Sequence, residues 1–237
     1  MAHQQITEGI SVEGSLEFEP VKRIFPLNEA RYSVLLESGR RLEVDGCLLA
    51  TGGRALKEIM PALSETLSER LEALRFADLS VMHFAVPKSA NIIPDAFGVL
   101  FPGGQPHHLL GVMFNSMLFP HVAPANRHVL TVVLGGAQAE NQPSDKEMLQ
   151  REVPKLLNRL LGIKDADFLL YTHWSNAIPQ LEVGHHTIVD AMDVCESEWP
   201  GIVFSGVERG GVGVSDRIRV AHEAVHRFRR SRVETVV

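Results

Sequence analysis

Near the carboxyl end of the chain, a short apolar stretch runs into a cluster of glycines and then into a helical pattern. Residues 201–205 have the composition of a buried strand, four glycines fall within residues 206–213, and residues 214–230 have helical periodicity. Glycine tolerates positive φ and close approach of a ligand, and a helix start exposes N–H groups that carry partial positive charge. Such a unit either makes a tight turn or holds an anion or an electron-rich ring edge. The pattern alone leaves both alternatives open.

The same segment does not fit the dinucleotide-binding fingerprint. In the stretch that runs from Gly211 and Gly213 onward, the third glycine of Gly-x-Gly-x-x-Gly is replaced by Asp216. Only about twenty residues follow Asp216, whereas the fingerprint needs a helix, a return strand and an acidic residue that binds the ribose. We therefore exclude a primary nucleotide site at this position.

The rest of the chain alternates between strand and helix patterns. Strands are predicted at residues 16–24, 32–37, 41–44, 47–50, 79–86, 97–101, 109–114, 128–134, 167–172 and 201–205. Helices are predicted over 54–74 with a break at Pro61, over 144–161, over 188–195 and over 214–230, with a loop at 174–184. Ser144 and Glu147 form a capping box, and Gly162 suits a helix C-cap. The order of the elements predicts an α/β (α+β) chain whose ends belong to a buried sheet and whose middle forms an antiparallel layer.

Charge and composition narrow the classes of function. The 237 residues carry a formal net charge of −6, and nucleic-acid binding needs a basic surplus, so we expect no nucleic-acid partner. Two cysteines are too few for a disulfide framework, and no apolar run has the length of a bilayer span, so a cytoplasmic protein is expected. One basic cluster predicts either a solvated helix end or a peripheral contact with an anionic membrane or a partner. The cluster consists of Arg227, Arg229, Arg230 and Arg232.

The last helical pattern also contains a zinc-protease motif. His222, Glu223 and His226 match H-E-x-x-H, in which two histidines bind zinc and the glutamate acts as a base. The acidic residue that remains as a third zinc ligand is Glu234, which is unusually close to the two histidines in sequence. The helix is also expected to pack behind the glycines. A metalloprotease is therefore a minor alternative, and we predict no metal site.

Residues 205–218, with the sequence SGVERGGVGVSDRI, resemble the closing flavin motif of the protoporphyrinogen oxidases in the amine-oxidase-like flavoprotein family. Four earlier segments are similar to family segments in the same order. They are residues 45–53 (DGCLLATGG), 111–120 (GVMFNSMLFP), 130–136 (LTVVLGG) and 174–185 (WSNAIPQLEVGH). The resemblance covers nearly the whole chain.

The resemblance implies an FAD-dependent oxidoreductase of haem biosynthesis that acts on a tetrapyrrole. It divides the chain into partial FAD-binding strands (1–53), a substrate-domain part with an antiparallel sheet and a helix (54–175), and a C-terminal FAD-binding segment (176–237). The cofactor contacts that it implies are Ala50, Thr51, Trp174, Gly206, Gly211, Val212, Gly213 and Val214. The substrate contacts that it implies are Phe114, Ile178 and Gln180. No catalytic side chain is assigned, because the chemistry is the cofactor's.

The chain also departs from the family pattern. The family begins with a strand and a Gly-x-Gly-x-x-Gly turn that binds the FAD pyrophosphate, and this chain lacks that motif. Val207 and Glu208 stand where the family has Asn-Tyr or Asn-Arg, and Arg217 stands where it usually has Cys. We therefore expect an incomplete FAD site and an isolated chain that is inactive, with a partner polypeptide carrying the N-terminal FAD half. The alternative is a non-catalytic porphyrin-binding module, remnant or partner subunit, and exposed sheet edges predict a homo-oligomer.

Overall fold

The computed structural model of the protein describes residues 18–28, 31–62, 65–139 and 145–233. The chain divides into two compact units. The first unit comprises Met1–Leu71, His186–Gly210 and Val214–Val237, and the second comprises Glu72–His185 with Gly211–Gly213. The predicted mixture of helices and antiparallel sheets is confirmed. The predicted division at residues 53 and 175 into flavin and substrate parts stays a prediction.

Ten strands and six α-helices lie within the described residues. The strands are β1 (Val21–Asn28), β2 (Arg31–Leu36), β3 (Arg41–Val44), β4 (Cys47–Leu49), β5 (Phe76–Pro87), β6 (Gly98–Leu100), β7 (Leu109–Met113), β8 (Arg127–Gly135), β9 (Asp167–Pro179) and β10 (Ile202–Phe204). The helices are α1 (Gly53–Ile59), α2 (Glu65–Ala73), α3 (Asn115–Leu118), α4 (Lys146–Leu161), α5 (His186–Glu198) and α6 (Val214–Val233).

The first unit contains two small sheets. Strands β1, β2 and β3 form an antiparallel sheet, and β4 pairs in parallel with β10. The turn between β2 and β3 needs a glycine, because Gly39 has a φ of 89°. The three residues of β10 are all buried, as expected for an apolar strand inside a unit. The predicted helix over 54–74 is two helices, α1 and α2, and the break falls at the predicted proline, Pro61.

The second unit is a five-stranded antiparallel sheet in the order β6-β7-β8-β5-β9. Along β5, Met82, Phe84 and Val86 are fully buried, and the residues between them are only half-buried. This alternation with period two places one face of the sheet on the core. The buried residues of α4, which include Val153 and Leu157, belong to the same core.

Two local predictions in the second unit need correction. Asp145 is the N-cap of α4, since its side chain accepts a hydrogen bond from the N–H of Met148, whereas Ser144 lies outside the described residues. Gly162 ends α4 in the left-handed conformation, with φ of 67°, as predicted. The predicted loop at 174–184 is wrong in its first half, because β9 continues through Pro179. Pairing with β5 overrides the polar composition of this stretch.

The half-buried cysteine in β4 provides a test of the parallel pairing of β4 with β10. Burial raises the pKa of the Cys47 thiol to about 11. Its thiolate fraction at pH 8 is then ~0.1 %, so we expect alkylation by iodoacetamide to be about 100-fold slower in the native than in the urea-unfolded protein. Mass spectrometry of the tryptic peptides separates Cys47 from Cys195. Similar rates in the two states would contradict this packing, and Cys195→Ser provides a single-thiol control.

Candidate functional site

The carboxyl ends of β4 and β10 meet at one edge of the first unit, because the two strands run parallel. The last ladder contact is the hydrogen bond from the N–H of Ser205 to the carbonyl oxygen of Leu49, at 2.8 Å. The chain then continues into Ala50 and Thr51 on one side and Gly206 on the other. Ligands of open α/β sheets bind at such carboxyl ends. The structure thus brings three of the predicted cofactor contacts to one edge.

At Gly206 the loop after β10 approaches the loop after β4 closely. A Cβ atom added to it would collide with Oε2 of Glu208 and would lie 2.8 Å from the carbonyl oxygen of Thr51. The φ of Gly206 is −68°, so the glycine is required by the close approach and not by its backbone conformation. Any side chain at this position would separate the loops that follow β4 and β10.

Glu208 is buried between these loops, with none of its surface exposed. Its Oε1 accepts a hydrogen bond from the N–H of Gly53, the first residue of α1. A carboxylate at a helix start satisfies an unpaired N–H and interacts favourably with the helix dipole. The acidic residue that departs from the family pattern therefore joins the glycine turn to the loop after β4.

Arg217, in the first turns of α6, leaves hydrogen-bond donors at the same edge. Its Nη1 donates to the carbonyl oxygen of Gly206 at 2.6 Å. Its Nε and Nη2 are buried and have no hydrogen-bond partner among the described residues. These two N–H groups lie on one side of the guanidinium and match a pair of acceptor oxygens or nitrogens. Buried donors without acceptors are costly, so the site favours an electron-rich group at this point.

A buried ionic network holds the glycine turn in place. Glu196 on α5 accepts hydrogen bonds from the N–H of Phe204 at 2.8 Å and from Nε of Arg227 at 3.0 Å, and lies 3.4 Å from Arg209. Arg227 also donates to the carbonyl oxygen of Phe204 at 2.9 Å. Asp193 completes the network through Arg209. The network connects α5, the end of β10, the glycine turn and α6.

The arginines of the C-terminal cluster differ in exposure. The sequence predicted this cluster as a solvated helix end or a contact with a membrane or partner. Arg227 is largely buried in the network, with 21 % of its side chain exposed, which corrects that prediction for this residue. Arg229 and Arg230 are exposed. None of the helices in the described part of the chain is long and apolar enough to cross a membrane.

The glycines before α6 adopt the geometry that the sequence predicts for a strand-to-helix turn. Gly211 has a φ of 97°, which side chains disfavour. The neighbouring apolar residues are exposed, by 49 % for Val212 and 78 % for Val214, the first residue of α6. Gly213 lies between them and is also exposed. Together these residues leave the start of α6 open, which is compatible with the predicted cofactor contact.

The remaining predicted contacts lie in the second unit. Trp174 is on β9 opposite Leu79 and is 47 % exposed. Ile178 and Gln180 lie at and just after the end of β9, and Nε2 of Gln180 donates to the carbonyl oxygen of Ile178 at 2.9 Å. Phe114 is only 3 % exposed and belongs to the core of this unit. Packing accounts for Phe114, and the substrate roles of all three residues stay predictions.

One face of the sheet in the second unit packs on the core. We call the opposite face the open face. Two cross-strand rows define it through the strand register. The first row is Leu100, Gly111, Val133, Val81 and Thr172, and the second is Gly98, Met113, Thr131, His83 and Leu170. Leu100 is 87 % exposed and Leu170 is 54 % exposed. Two glycines and mostly apolar neighbours make this surface low and apolar.

The zinc-protease motif lies on the surface of α6. His222 and His226 are both exposed, with their ring centroids 4.7 Å apart, while Glu223 is bound to Arg219 at 3.0 Å. No group of three or more His, Cys, Asp or Glu within the described residues could hold a metal ion, and Glu234 lies outside them. The two histidines thus have no third protein ligand in the described part of the chain.

Sequence reasoning missed three charged residues that build the edge. Glu196, Glu208 and Arg217 are ordinary surface residues by type, and charged residues are buried only when paired. Glu208 and Arg217 were visible as departures from the family pattern, which was a usable signal. Nothing local distinguished Glu196, because its partners lie elsewhere in the chain.

Comparison with known proteins gives the family. The profile of the flavin containing amine oxidoreductases matches residues 3–214. Protoporphyrinogen oxidase 2 of Arabidopsis thaliana is 30 % identical over 62 % of this chain and 30 % of its own length. Protoporphyrinogen oxidase of Bos taurus is 28 % identical over 95 % of this chain and 48 % of its own. The chain therefore belongs to the flavin-containing amine oxidoreductases and spans about half the length of the bovine relative.

The fold agrees with a solved structure. A crystal structure from Exiguobacterium sp. 255-15, provisionally named a protoporphyrinogen oxidase, superposes with a TM-score of 0.80 at 19 % identity, covering 97 % of this chain and 50 % of that one. At this identity the similarity establishes the shared fold. The flavin implied by the family fits the residues present, since the edge offers the orphaned Nε and Nη2 of Arg217 beside a glycine with no room for a side chain.

Proposed function

We propose that this chain is the C-terminal part of an FAD-dependent oxidoreductase that oxidises a porphyrinogen in haem biosynthesis. The observation that carries the proposal is the donor-rich edge at the ends of β4 and β10. There Gly206 excludes any side chain, and Arg217 holds two buried N–H groups without acceptors. The named relatives, which are protoporphyrinogen oxidases, support the substrate class.

The chain's own residues would bind and orient the cofactor. Arg217, the backbone after Thr51 and Gly206, and the open helix start at residues 211–214 would contact the flavin and its electron-rich edge. Bound FAD would supply the redox chemistry, namely a hydride acceptor for the porphyrinogen and reactivity towards oxygen. Glu208 and the Glu196 network would keep these donors in position before the cofactor arrives.

The substrate would lie on the open face of the second unit. A porphyrinogen is a large, mostly apolar ring system, and the exposed Leu100, Leu170 and Trp174 provide apolar contact area. Of the predicted substrate contacts, Ile178 lies on β9 together with Leu170 and Trp174, and Gln180 follows the end of β9. Binding sites of this kind combine apolar area with a few polar groups that fix orientation.

Because the chain spans about half of the bovine relative, we propose that the rest of the FAD site, including the pyrophosphate-binding turn, comes from residues beyond these 237. They belong either to the same polypeptide or to a partner. The 237 residues alone would then bind FAD weakly and would not catalyse oxidation of the porphyrinogen.

Flavin binding tests the proposal. We expect the purified chain to retain little FAD after gel filtration, and to retain it as a yellow complex when the polypeptide supplying the remaining half is co-expressed. Visible absorbance and flavin fluorescence measure both conditions, with FMN as the control for FAD specificity. If neither condition retains flavin, the flavin role is wrong. If the chain alone oxidises protoporphyrinogen with oxygen, its proposed inactivity is wrong, and porphyrin binding without flavin would favour the non-catalytic alternative.

A further inference from the structure

The half-buried His83 takes part in a hydrogen-bonded chain on the open face. Its Nδ1 lies 2.9 Å from Oγ1 of Thr131, the residue directly opposite on β8. Oγ1 of Thr131 donates to Oδ1 of Asn115, the first residue of α3, at 2.7 Å. Asn115 and Thr131 lie in the family-like segments 111–120 and 130–136, and His83 lies outside them. None of the three is among the cofactor or substrate contacts that the resemblance implies.

The chain of hydrogen bonds determines where the His83 ring carries its proton. A threonine hydroxyl has one proton, and that of Thr131 points to Asn115. Thr131 must therefore accept its second hydrogen bond from His83, so the proton lies on Nδ1. Nε2 is left as an unprotonated acceptor. Burial lowers the pKa of His83, which keeps the ring neutral at neutral pH.

Nε2 of His83 keeps some accessible surface, at which a ligand could bind. This nitrogen has no hydrogen-bond partner among the described residues. The row around it contains Gly98, Met113 and Leu170, so the acceptor stands on a low apolar surface. A flat or shallow apolar ring that carries an N–H group is complementary to this arrangement.

We propose that Nε2 of His83 accepts a hydrogen bond from a pyrrole N–H of the porphyrinogen and so distinguishes the reduced macrocycle from its oxidised product. The inference rests on the proposed function. The methylene bridges of a porphyrinogen pucker the ring and let its pyrrole N–H groups point out of the mean plane. In a porphyrin the ring is flat and the N–H groups point into its centre, where a side chain on one face cannot reach them. Oxidation therefore removes the donor, and the product binds less tightly than the substrate.

Paired substitutions at His83 test this role. His83→Asn removes the acceptor at Nε2 but keeps a polar group near Nδ1, whereas His83→Gln places an amide oxygen near the position of Nε2. Anaerobic titration with protoporphyrinogen, and separate titration with protoporphyrin, can be followed by quenching of Trp174 on the same face. We expect His83→Asn to weaken porphyrinogen binding about fivefold, the loss of one net hydrogen bond, and His83→Gln to restore it. Porphyrin binding should change less than about twofold in either variant, because a porphyrin has no N–H group that reaches Nε2 of His83.

His173→Asn is the matched control, since this half-buried histidine on β9 bonds through Nδ1 to the buried Ser80 at 3.0 Å. It should alter neither titration. Nitrogen-15 NMR provides an independent readout, and a proton on Nε2 in the free protein would overturn the inference. Unchanged porphyrinogen binding in His83→Asn, or an equal loss for porphyrin, would also overturn it. If the unaltered protein binds no porphyrinogen, the proposed substrate itself is wrong and this role of His83 falls with it.

Discussion

Glu196→Ala is expected to destabilise the protein by about 3 kcal/mol or more, because it leaves two buried guanidinium groups without their common carboxylate. The side chain of Glu196 is 11 % exposed, and those of Arg209 and Arg227 are 6 % and 21 % exposed, so water cannot replace it easily. The N–H of Phe204 would lose its acceptor at the same time. Urea unfolding followed by circular dichroism measures the change in the free energy of unfolding.

Glu196→Gln separates charge from hydrogen bonding in this network. The amide oxygen can still accept from Phe204, so we expect a loss of about 1 to 2 kcal/mol, between the wild type and the alanine variant. Glu198→Ala, on the exposed end of the same helix, should change stability by less than about 0.5 kcal/mol. A loss below about 1 kcal/mol for Glu196→Ala would mean that the network does not hold the turn.

Gly206→Ala is the second substitution with a large expected effect, a loss of about 3 kcal/mol. The added methyl group would collide with Glu208 and approach the carbonyl oxygen of Thr51 to 2.8 Å. Relief requires Glu208 to move, which breaks its hydrogen bond to the N–H of Gly53, or requires the two loops to separate. Because the same loops are the proposed flavin contacts, flavin retention by the completed protein should fall together with stability.

Gly52→Ala is the matched control for this prediction. Gly52 lies beside the same carboxylate, but its added Cβ would be 3.6 Å from Oε1 of Glu208, an ordinary contact. Its φ of −67° suits any residue. We therefore expect a change of less than about 0.5 kcal/mol, the balance of a slightly poorer N-cap and a less flexible unfolded chain. Equal effects of the two substitutions would contradict the close approach at Gly206.

The predictions made from sequence succeeded where the deciding interactions are local. The strand–glycine–helix unit, the break at Pro61 and the C-cap at Gly162 depend on residues within a few positions of one another, and all three are confirmed. They failed where distant pairing decides. Residues 174–179 have a loop-like composition and become strand because β5 provides hydrogen-bond partners about a hundred positions earlier.

The sequence by itself determined the order of the elements, the family to which the chain belongs and the position of the glycine turn, because these follow from local periodicity and ordered motifs. Only the tertiary structure decided how that turn is built. Glu208 reaches Gly53 across 155 positions, and Glu196 reaches Arg227 across 31. The open face likewise exists only through the register of five strands. The structural roles of these charged and polar side chains depend on partners that are distant in sequence and meet only in the folded chain. Local sequence patterns therefore do not predict them.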